Sequence, residues 1–261
     1  ERAIELRPDY PAAQLSLGRI DIVDKDYKAA QVIATALQQA HPQAAYGFEL
    51  EGDILVAQGD YKQAVPSYEK AYQLKASARL ATGIFNMRRL AGESDKAIAA
   101  LRDWLQQHPG DDAIRMKLAS HLQQQGRLDE AIEEYLAILG QNPDNLTALN
   151  NVAWLYQQQG SDKGIVYAEQ AYDLAPQRPE VIDTLGWLLV QKGDHQRGLV
   201  LLQEAVTRAP HNAEIRYHMA VALAEVGRSE EARRELEWIL DNEKKFSNTG
   251  EARALLEKLG G

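Results

Sequence analysis

Residues 176–210 read PQRPEVIDTLGWLLVQKGDHQRGLVLLQEAVTRAP, one stretch that runs from a proline to the next proline of its kind. Gly193 sits near its middle. Ile182, Leu185, Gly186 and Leu189 stand before the glycine at helical spacing, and Gly198, Leu202 and Ala205 follow it. Apolar residues three and four apart mark a helix that is packed on one side. Glycine is the usual helix stop, and proline suits the first turn of the next helix. The stretch therefore predicts two helices joined by a tight turn.

The same punctuation runs along the chain. Prolines fall at 8, 42, 109, 143, 176 and 210, at intervals of 34, 67, 34, 33 and 34, so that one is missing near Ala76. A turn followed by a small residue keeps step with them: Lys25 and Ala30, Gly59 and Ala64, Gly92 and Ala97, Gly126 and Ala131, Gly160 and Gly164, Gly193 and Gly198, Gly227 and Ala232. The small residue marks a place where two helices approach closely. An internal period of this size means a repeat architecture. No alternating strand pattern occurs, and the expected class is all-α.

The pattern resembles the tetratricopeptide repeat family, whose unit carries a large residue, Leu-Gly, an aromatic, Ala, an aromatic, Ala and Pro at set spacings. Residues 179–212 present Ile182, Leu185, Gly186, Leu189, Gly198, Leu202, Ala205 and Pro210. Residues 45–77 present Phe48, Gly52, Leu55, Ala64, Tyr68 and Ala71, with Ala76 in place of the proline. The resemblance implies an α-solenoid, a right-handed superhelix of helix-turn-helix repeats. Seven units are expected at 11–44, 45–77, 78–111, 112–145, 146–178, 179–212 and 213–246, after a tail of a preceding unit in 1–10. A C-terminal capping helix is expected in 247–261, with Ala252, Leu255, Leu256 and Leu259 on one stripe. Arg115 and Arg216 depart from the pattern at the first large position, and Phe85 departs at the small one.

A narrower resemblance lies in LNNVAWLY at 149–156, DTLGW at 183–187 and IRYHMA at 215–220. These are similar to the C-terminal part of bacterial TPR lipoproteins of the exosortase/PEP-CTERM sorting system. That resemblance implies a role in protein sorting or exopolysaccharide export, a cell-envelope or periplasmic address, and a full-length protein held by a lipid anchor. A cytoplasmic address stays open. The chain begins inside a helical pattern, ERAIELRP, so it is expected to be part of a longer protein.

Composition narrows the chemistry. The chain has no cysteine, which excludes disulfides, Cys-ligated zinc and a thiol nucleophile. A net charge of −9 without a Lys/Arg cluster argues against nucleic acid. Apolar runs such as 152–156 and 185–190 are far short of a membrane span. The histidines at 41, 108, 121, 195, 211 and 218 show no His-Glu-x-x-His and no i, i+4 pair, and are read as surface or capping residues. No phosphate loop or nucleophile elbow is present, and neither a cofactor nor a metal is expected. Acidic residues such as Glu130 and Glu230 fall early in second helices, where they complement the helix dipole. The chain is expected not to be an enzyme.

A two-helix unit cannot bury its apolar face alone, and stacked units expose an extended concave wall made by their first helices. Taking the core positions out of each first helix leaves a second stripe. It comprises Arg79, Thr82, Asn86 and Arg89; Met116, Ser120 and Gln123; Asn150, Asn151, Trp154 and Gln157; Asp183, Trp187 and Gln191; and Tyr217. Trp and Tyr suit a binding surface because they bury much area for few lost rotamers, and Asn and Gln can bond a peptide backbone. Trp154 and Trp187, at equivalent places, serve either as groove residues or as filler of the seam between first helices. The carboxylate clamp of one TPR subclass is not expected, since Thr82 stands where its first Lys would be and Lys117 where its Asn would be. Arg79 and Arg89 read as a solvated face able to attract an acidic segment. The expected partner is a protein or peptide in the groove. Self-association as a scaffold and service as a regulatory arm of a larger enzyme are the alternatives.

Overall fold

The structure, a computed structural model, describes residues 10–243 and 246–260, and its regular structure there consists of fifteen α-helices with no strand. They form successive pairs: α1 Pro11–Val23 and α2 Tyr27–Ala40; α3 Tyr46–Gln58 and α4 Tyr61–Leu74; α5 Ala78–Leu90 and α6 Ser94–Gln107; α7 Asp112–Gln124 and α8 Leu128–Gln141; α9 Leu146–Gln158 and α10 Lys163–Leu174; α11 Pro179–Gln191 and α12 His195–Arg208; α13 Ala213–Glu225 and α14 Ser229–Asn242. A last helix, α15, spans Thr249–Gly260. The preceding-unit tail expected in 1–10 lies, apart from Tyr10, outside the described residues. No helix among the described residues is long and apolar enough to cross a membrane.

Each pair closes in the same way. In α3/α4, Gly59 at φ +86° donates to the Val56 carbonyl at 3.0 Å, and the Asp60 N–H reaches back to the Leu55 carbonyl at 2.8 Å. This Schellman arrangement satisfies carbonyls that the end of a helix would leave unpaired. The two bonds recur in every hairpin, ending with those from Gly227 and Arg228 to Ala224 and Leu223. The left-handed residue is glycine in six of them, while the first hairpin places Lys25 there at φ +64°. A Cβ in that conformation costs about 1 kcal/mol.

Close approach between partners is the second regularity, and α11/α12 shows it best. A Cβ built on Gly198 would lie 2.5 Å from Val190 Cγ2 and 2.7 Å from the Gly186 carbonyl oxygen. One built on Gly186 would lie 2.9 Å from Leu202 Cγ and 3.1 Å from the Gly198 carbonyl oxygen. The two glycines face each other, so the backbones meet without side chains between them. Gly52 works differently: it clears room for the Tyr68 ring, 2.7 Å from where its Cβ would be.

The chain divides into two compact units at Leu118 and Ala119, within α7. In the first, hairpin partners pack on each other, α2 packs on α3 and α4 on α5, and α1 also touches α3. Its core runs from Leu15, Ala34, Leu37, Leu50 and Ile54 to Tyr68, Ala71, Leu80 and Ile84. In the second, α9, α11 and α13 touch in succession as one wall, with α10, α12 and α14 behind them. Leu188, Leu189, Val190, Leu202, Leu223 and Leu236 are buried there. Helix α15 packs on α14 and α13, with Ala252 buried and Leu255, Leu256 and Leu259 half-buried beside Ala220 and Leu236.

The departures from the repeat pattern have local explanations. Phe85 is buried in the first unit. Arg115 and Arg216, in equivalent slots, each donate to the carbonyl of the proline that precedes their helix, Pro109 at 3.0 Å and Pro210 at 2.6 Å. Arg216 also pairs with Glu235 and lies 4.1 Å over the Trp238 ring, so its stem and guanidinium take over the packing of the expected large apolar residue.

Two substitutions test this account. Gly198→Ala is expected to cost about 1 kcal/mol of unfolding free energy. Overpacking against a backbone carbonyl that cannot step aside costs roughly 1–3 kcal/mol, which exceeds the helix-propensity gain of about 1. Lys25→Gly is expected to raise stability by about 1 kcal/mol through relief of the left-handed residue. Urea unfolding followed by circular dichroism reads both, and an unchanged midpoint would refute the packing or the turn argument respectively.

Candidate functional site

Helix α11 is buried along most of its length, and two of its buried residues are polar. Thr184 satisfies itself by donating to the Glu180 carbonyl at 2.9 Å. Asp183, only 8% exposed, has to find a partner outside its own helix, because an unpaired buried carboxylate is strongly unfavourable. It finds His218 of α13, whose Nδ1 lies 2.8 Å from Asp183 Oδ1. A carboxylate can only accept, so Nδ1–H donates. His218 is 3% exposed, and its ring stacks on Trp187 with centroids 4.2 Å apart and planes 17° from parallel. Trp154 of α9 lies 6.0 Å away, tilted at 40°. Three consecutive first helices thus contribute to one aromatic and acidic assembly.

Beside it opens a recess of about 230 Å³, bordered by Asn150, Asn151, Trp154, Asp183, Glu214 and His218 among others. The Oδ1 atom of Asn150 is shielded from solvent and has no hydrogen-bond partner. Buried polar atoms are nearly always satisfied, so an orphan acceptor beside a cavity marks a place where a donor is wanted.

The first unit shows another solution on the corresponding stripe. Arg19 of α1 reaches Glu49 at 2.6 Å and Asp53 at 3.0 Å, both on α3. Arg79 of α5 also pairs with Glu49, and reaches Asp53 at 3.4 Å. Tyr68 donates to Asp53 at 2.7 Å, and burial first, then the Asp53 charge, pushes its phenol well above the ordinary range. Burial, followed by the like charge of Arg19, pushes Arg79 down to about 10. Two cations meet two carboxylates, and this wall is internally neutralised.

The expected site residues fall into several settings. Asn150, Asn151, Trp154 and Asp183 come together at the recess, with Trp187 and Tyr217 flanking His218. Burial, then the charge of Glu251, raises the Tyr217 phenol. Gln157 and Gln191 line a separate hollow of about 150 Å³ beside Ser161 and Lys192. Gln123 accepts a bond from Tyr135 at 3.3 Å. Thr82, Asn86, Met116 and Ser120 are half-buried, and Arg89 is exposed. Asp183 is a buried residue bonded across helices. Arg79 is exposed and is held on that face by an ion network with Glu49 and Asp53. One expectation needs correction. His121 and His218 are buried rather than surface residues, His218 because the Trp187 ring and Asp183 pack against it. Arg19, Glu49, Asp53, Glu214 and His218 were not anticipated. Counting the same stripe in residues 11–44 and 45–77 would have found the first three.

Comparison with known proteins agrees with this geometry. A tetratricopeptide repeat model matches residues 89–155 and 189–259, and a second tetratricopeptide repeat model matches 49–112. The TPR repeat-containing protein PA4667 of Pseudomonas aeruginosa is 23% identical over 222 residues, covering 80% of this chain and 36% of that protein. Cellulose synthase 1 operon protein C of Komagataeibacter xylinus is 29% identical over 147 residues, covering 53% of this chain and 11% of that protein. The chain therefore spans about a third of the first relative and about a tenth of the second. A crystal structure of a tetratricopeptide repeat protein from Parabacteroides merdae superposes with a TM-score of 0.69 at 17% identity, over 83% of this chain and 86% of that one. With its paired helices, its left-handed turn residues and repeat matches across more than half its length, the chain belongs to the tetratricopeptide repeat family.

Proposed function

We propose that this chain is a non-catalytic adaptor that binds a protein or peptide along the wall of its first helices. The recess beside Asn150, Trp154 and Asp183 is the seat of that binding. Tetratricopeptide repeat proteins mediate protein–protein interaction, and this chain carries their architecture. The observation that carries the reading is the Asn150 Oδ1 acceptor, buried and unpartnered beside a cavity walled by an indole and a buried carboxylate. Trp and Tyr are enriched in binding hot spots, and Trp154 is half-buried at the recess.

We place the adaptor in a bacterial envelope assembly for protein sorting or polysaccharide export, with a periplasmic address and an anchor elsewhere in the full-length protein. The resemblance of residues 149–156 and 183–187 to envelope TPR lipoproteins supports this, as does similarity to a cellulose synthase operon protein. A second reading, self-association, has its own support on the second helices. Val166 and Val200 are 54% and 64% exposed, and Val200 borders a groove of about 660 Å³ with Tyr172, Leu185 and Leu201.

Trp154→Ala separates the two readings. Trp187 is left intact because it stacks on His218 and packs against the core. Capture from native envelope extract is expected to fall about tenfold with Trp154→Ala, in a variant whose helicity and melting temperature match the parent. If the same proteins are retained by both baits, the wall is not the binding surface. Sedimentation of the parent beside Val200→Glu then tests self-association, which predicts an oligomer dispersed by the added charge.

A further inference from the structure

We infer that the recess between α9, α11 and α13 receives the positively charged side chain, lysine or arginine, of a peptide ligand. The inference deepens the proposed function and rests on that reading of the wall.

The first unit shows what a carboxylate on this stripe takes as a partner. Glu49 is paired with Arg19 of the preceding first helix and with Arg79 of the following one. Four repeats further along, Asp183 stands in the place of Glu49. There Trp154 occupies the place of Arg19, and Glu214 that of Arg79. Both cations are gone, one replaced by an aromatic face and the other by a second carboxylate. His218, in the place of Gly83, engages one oxygen of Asp183. The nearby Glu180 is already paired with Arg178.

Around the recess there remain the Asp183 and Glu214 carboxyls, the Trp154 indole and the Asn150 Oδ1 acceptor, with no Lys or Arg among the described residues that border it. Carboxylates and an orphan acceptor call for N–H donors with positive charge, and an indole face attracts a cation. An ammonium brings three such donors and a guanidinium five. Two guanidiniums seated between first helices at Glu49 and Asp53 show that this stripe admits one. The ligand would supply in trans what Arg79 supplies within the first unit. An acidic or apolar side chain would leave the same carboxylates facing a like charge or nothing.

The test uses the whole chain, ¹⁵N-labelled, titrated with blocked tripeptides Ac-Ala-Xaa-Ala-amide in which Xaa is Arg, Lys, citrulline, acetyllysine or Glu. The Trp154 and Trp187 indole N–H resonances report occupancy. The Arg and Lys peptides are expected to shift Trp154 saturably. Citrulline and acetyllysine should bind about tenfold more weakly, and Glu weakest of all. Asp183→Asn, which keeps an acceptor for His218, is expected to abolish the preference for charge. Should that variant melt lower than the parent, Glu214→Gln at an exposed position makes the same test without disturbing the core. Equal binding of Arg and citrulline, or an unchanged Arg affinity in both variants, overturns the assignment of charge while leaving the wall as a binding surface. No shift with any peptide overturns the recess as a side-chain site, and the Trp154→Ala capture then decides the fate of the wall independently.

Discussion

None of the described helices can hold itself together, since twelve to fourteen residues is marginal for an isolated helix in water. Everything rests on the close face-to-face approach of hairpin partners, which turns two marginal helices into one unit with an apolar side. Gly186 against Gly198 is the extreme case, where backbone meets backbone. The left-handed turn matters for the same reason. It sets the angle at which the second helix returns, and it ties off carbonyls that would otherwise be stranded at the bend.

That arrangement decides where function can sit. Small residues and aliphatic side chains are consumed between partners and between neighbouring pairs, as the fully buried Ala64, Ala168 and Ala205 show. Some aromatic side chains, such as Tyr68 and Tyr135, are consumed in the same way, and the polar ones are left mainly on the wall of first helices and on the outer faces of second helices. On the wall they meet residues of the next repeat as well as of their own, as Asp183 meets His218 and Glu49 meets Arg79. A residue's setting there is thus a property of two adjacent repeats, so the same position can be neutralised in one place and unsatisfied in another.

This also explains what the sequence disclosed. The helices, their turns and the small residues repeat with the period, and each is written in one short segment, so Gly59, Gly193 and Gly198 could be read directly. Trp154 and Asp183 were found by counting along one helix. His218 was missed because its meaning lies in the stagger between α11 and α13, which no single segment encodes. Its lack of an i, i+4 partner pointed to the surface, whereas its partners lie 31 and 35 residues away in sequence. The arginine pairs of the first unit were likewise invisible to a stripe counted without its neighbours. Arg115 and Arg216 looked like defects because a proline carbonyl is not a pattern element.

The two walls are held by different forces, and dissolved salt acts on them differently. In the first unit a ladder of partly exposed guanidiniums and carboxylates links α1, α3 and α5, and mobile ions screen such pairs. In the second, an imidazole lies against an indole over a buried hydrogen bond, which ions barely reach. Ionic strength is therefore a selective solvent for this chain. It loosens the seams between α1, α3 and α5 and leaves the Asp183–His218–Trp187 seam intact, so the stiffness of each unit answers to the medium in its own way.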